Sequence, residues 1–151
     1  MTPFVAGLAA SLALAGHGPA HQLALAEKGT GHSVRCYVSQ SEWRTEVSRF
    51  HSAAQAGDIV GLWLADEEAM ALSPAICRPL FHPRSAAPEP LAFAIFALGH
   101  EATHAEQQAN GRPFDEHEAD CGGIAKFPRL KRLLAPTRSL IPPAVAGWCP
   151  G

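Results

Sequence analysis

The spacing of apolar and polar positions divides the chain into a short series of elements. Phe4 to Leu12 is apolar and small, and the segment to residue 33 ends in a Gly/His/Ser-rich stretch that reads as a linker. Val34 to Val38 is a short strand pattern. Trp43, Val47, Phe50 and Ala54 then recur at helical spacing, which predicts a helix over Glu42 to Ala56 with Ser41 as its N-cap and Gly57 as its stop. Ile59 to Leu64 and Met70 to Leu72 are β-rich runs, and Asp66-Glu67-Glu68 between them reads as a hairpin turn. Trp63 reads as a core residue. Pro74 to Leu80 is a turn or short helix, and His82 to Pro90, with three prolines, is a loop.

The longest pattern follows. Leu91 to Ala109 predicts a helix, opened by Pro88 and Pro90 and stopped by Asn110-Gly111. Its first half is apolar nearly all round, which implies burial. Pro113 starts a second helix, expected from Phe114 to Ala125. Phe127 to Leu134 is apolar at 127, 130, 133 and 134, with lysines and arginines between that read as a solvated face. Residues 135–151 are proline-rich and read as irregular.

Within the long helix stands His100-Glu101-Ala102-Thr103-His104, the pattern H-E-x-x-H. Residues four apart on a helix lie about 40° from each other around the axis, so His100 and His104 project from one face, one turn apart. Glu101 lies about 100° round from His100, beside a metal position rather than on it. A carboxylate there can take a proton from a metal-bound water. Three fixed positions arise by chance in roughly a few per cent of chains this rich in histidine, so context decides. The context needed is a helix around the pattern and a third ligand after it; Glu116-His117-Glu118-Ala119-Asp120-Cys121 offers the ligand.

H-E-x-x-H followed by E-x-x-x-D resembles the gluzincin type of zinc metallopeptidase. The form Glu-x-x-Ala-Asp-Cys at Glu116 to Cys121 is also similar to a group of bacterial neutral zinc metallopeptidases. The resemblance covers about residues 91 to 125. It implies Zn2+ held by His100, His104 and a downstream glutamate, with Glu101 as the group that activates water. The metzincin form is excluded, because it needs Gly and His where this chain has Gln107 and Asn110. By the same resemblance a peptide or protein substrate pairs with an edge strand, either Met70 to Ser73 or Ile59 to Leu64. A second electrophile is expected by analogy, with Tyr37, His117 and Arg138 all open.

Glu116 is favoured over Glu118 as the third ligand. Glu116 and Asp120 are four apart and share a face, so one can reach the metal while the other accepts the ring N–H of a ligating histidine, here His100. Glu118 lies about 160° from Asp120 and is expected at the surface or in a salt bridge. The chain must return from the end of one helix to the start of the next at Gly111-Arg112-Pro113, a tight turn. His51 has no partner at ligand spacing and reads as a surface residue.

Composition changes this picture little. At 151 residues, 47% apolar, the chain fits one folded domain, expected at 34–151 after an N-terminal segment at 1–33. A net charge of −2 argues against nucleic acid, and no apolar run is long enough for a stable membrane span. The fold expected is α+β: a minimal zincin-like domain with the active-site helix and the third-ligand helix packed on a small β-hairpin. Cys36, Cys77, Cys121 and Cys149 contain no C-x-x-C pair, and three disulfide connectivities are open to them. Ala13-Leu14-Ala15 after the apolar stretch resembles a signal-peptide cleavage site, which favours export over a cytoplasmic location; the competing reading of this segment is a helix packed on the domain, running to about Glu27. In an exported protein Cys77–Cys121 would tie the segment before the active helix to the ligand helix, and Cys36–Cys149 would join the two ends. Three functions compete: a zinc-dependent peptidase, a zincin-like metal-binding interaction domain without activity, and a helical domain without metal.

Overall fold

The computed structural model describes residues 18–52, 57–145 and 149. Its helices and strands follow in the order α1 (Pro19–Thr30), β1 (Ser33–Cys36), α2 (Gln40–Val47), β2 (Gly61–Leu64), β3 (Ala69–Leu72), α3 (Pro74–Phe81), α4 (Pro88–Ala109) and α5 (Glu116–Leu134). The three strands form one mixed sheet in the order β1-β3-β2. β3 pairs parallel with β1, Ser33 opposite Ala69, and antiparallel with β2, Gly61 opposite Leu72. The domain is therefore α+β, as its patterning predicts.

β3 sits in the middle, and all four of its residues are buried, which is why Ala-Met-Ala-Leu shows no polar alternation. β2 is an edge strand and lies along α4. The hairpin turn is a short 3-10 segment, Ala65–Glu67, closed by Glu68 in the left-handed region (φ 48°). The main core joins β3, α3, α4 and α5 through Met70, Leu72, Ile76, Leu91, Ile95 and Leu130. Among the described residues no helix is long and apolar enough to cross a membrane.

Several boundaries differ from expectation. The competing reading of the N-terminal segment, a helix packed on the domain, corresponds to α1, which reaches past Glu27 to Thr30 and ends on Gly31 (φ 80°). It folds onto the domain because Gln22, Ala26 and Gly29 face inward; a Cβ on Gly29 would lie 2.6 Å from Leu130 Cδ2. Phe4 to Leu12 and Ala13-Leu14-Ala15 lie outside the described residues. α2 begins two residues earlier, capped by Ser39 rather than Ser41, and ends at Val47. Its last turn tightens into i→i+3 bonds, Arg49 N–H to Glu46 C=O and Phe50 N–H to Val47 C=O; Ala54 lies outside the described residues. α5 starts at Glu116, because the Asp115 carboxylate accepts the Glu118 N–H at 2.8 Å. It then runs on through Pro128. The proline stands on the exposed side, while Phe127, Leu130 and Leu134 bury at helical spacing. Burying three large apolar side chains at about 1.5–3 kcal/mol each outweighs the roughly 3 kcal/mol that an interior proline costs.

The disulfides also differ from expectation. They are Cys36–Cys77 and Cys121–Cys149, not Cys77–Cys121 and Cys36–Cys149. Cys36 ends β1 opposite Leu72, and the chain leaves Leu72 directly into α3, so Cys77 returns beside Cys36 (Cα–Cα 5.7 Å). Cys121 on α5 is taken by the C-terminal tail instead.

Candidate metal centre

His100 and His104 occupy successive turns of α4 on the face that looks into a cleft of about 750 Å³. Their Nε2 atoms are 3.1 Å apart. The first turn of α5 brings Glu116 against both: Oε2 is 3.2 Å from His100 Nε2, and Oε1 is 3.4 Å from His104 Nε2. Asp120, one turn further along α5, places Oδ1 2.9 Å from His100 Nδ1. The carboxylate accepts, so His100 carries its hydrogen on Nδ1 and turns a lone pair toward the cluster. Two imidazole nitrogens and a carboxylate thus face one another at hydrogen-bond distance. Among the described residues, His100, His104 and Glu116 form a group that can hold a metal ion. Their separations match the edges, about 3.3 Å, of a tetrahedron with bonds of about 2.0–2.1 Å.

The electrostatics agree with that use. Burial pulls the His100 ring below its ordinary value, and His104 adds to the effect, against Glu116 and Asp120. A ligating imidazole has to be neutral. Glu116 is 78% exposed at its side chain, so the carboxylate closes the cluster from the solvent side. Glu101, next to His100, is buried under β2. Burial, and then the charge of Glu116, push its carboxyl up to about 8, while the main-chain N–H of Trp63 holds it down. A Cβ on Gly61 would come 2.6 Å from Glu101 Oε1, so the glycine lets β2 lie over this carboxyl without pushing it aside.

Two glycines of α5 and one of α4 set how closely the helices approach. A Cβ on Gly99 would meet Gly123 Cα and O at 3.0 Å, and one on Gly122 would meet Thr103 Oγ1 at 2.0 Å. Beside this contact Lys126 Nζ donates to Thr103 Oγ1 (3.0 Å) and Glu106 Oε2 (2.9 Å). The close approach is what lets Glu116 and Asp120 reach histidines on the neighbouring helix.

No family model, curated protein or solved structure matches this chain. The site is therefore read from its own residues. Glu118 lies outside the cluster, in a two-pronged ion pair with Arg112 Nη1 (2.6 and 2.8 Å). Tyr37, His117 and Arg138 do not line the cleft. Tyr37 packs on Trp43, His117 lies beside Cys121, and Arg138 donates to the carbonyls of Pro83, Arg84 and Ala86. His51 does line it, brought there by the tight turn after α2. Its sequence position gives no sign of this, because nothing with ligand spacing surrounds it. The cleft mouth carries three exposed phenylalanines, Phe50 (52%), Phe93 (41%) and Phe114 (53%). Trp63 is only partly buried; its indole N–H donates to Gln108 Oε1 while its backbone N–H serves Glu101. Two contributors escape the motif altogether, the helix-crossing glycines and Gln107, whose Oε1 lies 2.9 Å from His104 Nδ1. Spacing alone could have flagged Gln107, which stands one turn beyond His104.

Proposed function

We propose that the chain is a zinc-dependent peptidase of the gluzincin type, with Zn2+ held by His100, His104 and Glu116. The observation that carries this reading is the convergence of three metal-binding atoms at 3.1–3.4 Å, with a sheltered carboxyl on the adjacent residue of the same helix. Two nitrogens and one carboxylate oxygen suit zinc, and three protein ligands are the number found in catalytic zinc sites. Zinc in such a site supplies an acidified water and polarises the carbonyl to be attacked.

The chain's own residues do the rest. Glu101, buried beside the cluster, takes the proton of the attacking water and passes it to the departing amine. Trp63 N–H and the close cover of Gly61 hold the carboxyl in one place. Asp120 orients His100. β2 is an outer strand, so an extended peptide laid along it can pair with its free edge. The apolar mouth, with Phe50, Phe93 and Phe114, excludes water once a peptide lies there. The two disulfides point to an extracytoplasmic location, and the reading extends this to a secreted enzyme.

A second reading is a metal-binding interaction domain that does not cleave. It is favoured by the position of Tyr37, His117 and Arg138 outside the cleft, which leaves the reaction without an expected second electrophile. One experiment separates the two. Zinc content is measured on protein purified without added metal, and cleavage of a peptide library is compared between the native chain and Glu101→Gln. Cleavage lost in Glu101→Gln with zinc retained supports the enzyme; zinc without cleavage in the native chain supports the second reading.

A further inference from the structure

We propose that Gln107 is a positioning residue of the metal centre: its side-chain amide sets the tautomer of His104 and fixes the point where Glu116 enters the site. The inference rests on the metal-centre reading of this cluster and does not need peptidase activity.

Gln107 is fully buried. A buried amide has to make its hydrogen bonds inside the protein. Nε2 donates to the Asp115 carbonyl at 3.0 Å and to Glu118 Oε2 at 3.2 Å, and Oε1 accepts the Asp115 backbone N–H at 3.2 Å. The two ends of an amide have nearly the same shape, but a backbone N–H can only donate and a carbonyl can only accept. Asp115 therefore decides which way round Gln107 stands. The oxygen so placed is the atom 2.9 Å from His104 Nδ1. It offers no proton, so Nδ1 must carry the hydrogen, and Nε2 keeps its lone pair. That lone pair faces His100 Nε2 and Glu116. With the amide reversed, an N–H group would face Nδ1. The ring would then carry its hydrogen on Nε2, inside the ligand cluster, where it blocks a cation.

The same two amide atoms act on the third ligand. Asp115 caps α5 and immediately precedes Glu116. Gln107 binds both its N–H and its C=O, as a neighbouring strand would. The Gln107 carbonyl also accepts the Arg112 N–H at 2.9 Å, and Gly111 (φ 64°) lets the chain double back. One side chain thus holds the short return from α4 to α5 and the ring of a ligand at its start.

A simple loop clamp would tie the turn without affecting the ring, so the tautomer is the discriminating measurement. Long-range proton–nitrogen correlation NMR on metal-free protein, above the imidazole titration range, reads which ring nitrogen carries the hydrogen. Zn2+ affinity is measured by competition with a chromophoric chelator. The native chain is expected to hold His104 as Nδ1–H. Gln107→Met keeps the length and loses the acceptor; it is expected to populate Nε2–H and to bind Zn2+ about 10–100-fold more weakly. A native His104 in the Nε2–H form overturns the proposal, and needs no variant to fold. So does a Gln107→Met protein that keeps both Nδ1–H and native Zn2+ affinity. A native chain that binds no Zn2+ overturns the metal centre and this proposal together, whereas absence of cleavage alone touches neither.

Discussion

Replacing Gly99 by alanine tests whether the α4–α5 approach, rather than the motif alone, makes the centre. Intrinsic propensity favours alanine inside a helix by about 1 kcal/mol. The new methyl group would stand 3.0 Å from both Cα and O of Gly123 and 3.3 Å from Lys126 Cβ. Two of those atoms are backbone, so no side chain can swing aside. The helices must separate by about 0.4 Å to restore ordinary contact. Overpacking of this kind costs about 1–3 kcal/mol, which exceeds the propensity gain and leaves a net loss of about 1 kcal/mol. For a domain of this size the melting temperature falls by about 2–4 °C. The separation also moves Asp120 and Glu116 away from α4. The 2.9 Å bond from His100 Nδ1 to Asp120 lengthens, and Zn2+ affinity drops about tenfold or more. Thermal unfolding of the metal-free protein and chelator competition measure the two effects. Gly18→Ala, where a Cβ meets nothing within 4 Å, serves as a control with unchanged affinity. A Gly99→Ala protein that melts higher and binds Zn2+ as the native chain does would refute the reasoning.

Gly61→Ala drives a methyl group into Glu101 Oε1; metal affinity is expected to stay within a few-fold while cleavage falls by about a hundredfold, as measured by kcat/KM on a peptide substrate. Cys149→Ser opens the loop closed with Cys121 and is expected to cost on the order of 3 kcal/mol in denaturant unfolding. Because Val145 on the same tail lines the cleft, this change should raise KM more than it changes Zn2+ affinity. Glu67 is pulled below its ordinary value first by Arg35 and then by Arg49. A lowered carboxylate stabilises above its unfolded pKa of about 4.5 and loses that contribution as pH falls through the folded value. The stability gap between the native chain and Glu67→Gln should therefore be widest near neutrality and vanish in acid, which urea unfolding across pH can follow.

The parts legible in the sequence were those with a local cause. The α4 helix, the hairpin and the fourfold spacings of His100–His104 and Glu116–Asp120 each follow from a period along the chain. Glu118 could be set aside for the same reason. What stayed hidden depends on partners distant in sequence. The packed helix to about Glu27 is only the competing reading of the N-terminal segment, because the inward face of α1 is set by Leu130 and Leu133 of α5. The helix expected to end at Ala125 runs on to Leu134, because sequence does not reveal that the side of α5 carrying Pro128 is exposed. Cys36 and Cys77 pair by proximity created by the parallel β1–β3 ladder, which no local pattern announces. His51 enters the cleft through a tightened turn, and the Asp115 bonds that orient Gln107 form only because the chain doubles back.

The pairing Cys36–Cys77 and Cys121–Cys149 joins the first cysteine to the second and the third to the fourth. The two loops neither nest nor cross. A chain oxidised while it emerges N-terminus first would close the first bond correctly before the third cysteine appears, and only one partner would then remain for each of the others. Correct bonding therefore follows from order of emergence alone, and a simple thiol oxidant suffices without a reshuffling catalyst. Full-length reduced chain faces the three-way choice instead. Oxidative refolding of that chain should pass through mispaired species that vectorial synthesis avoids.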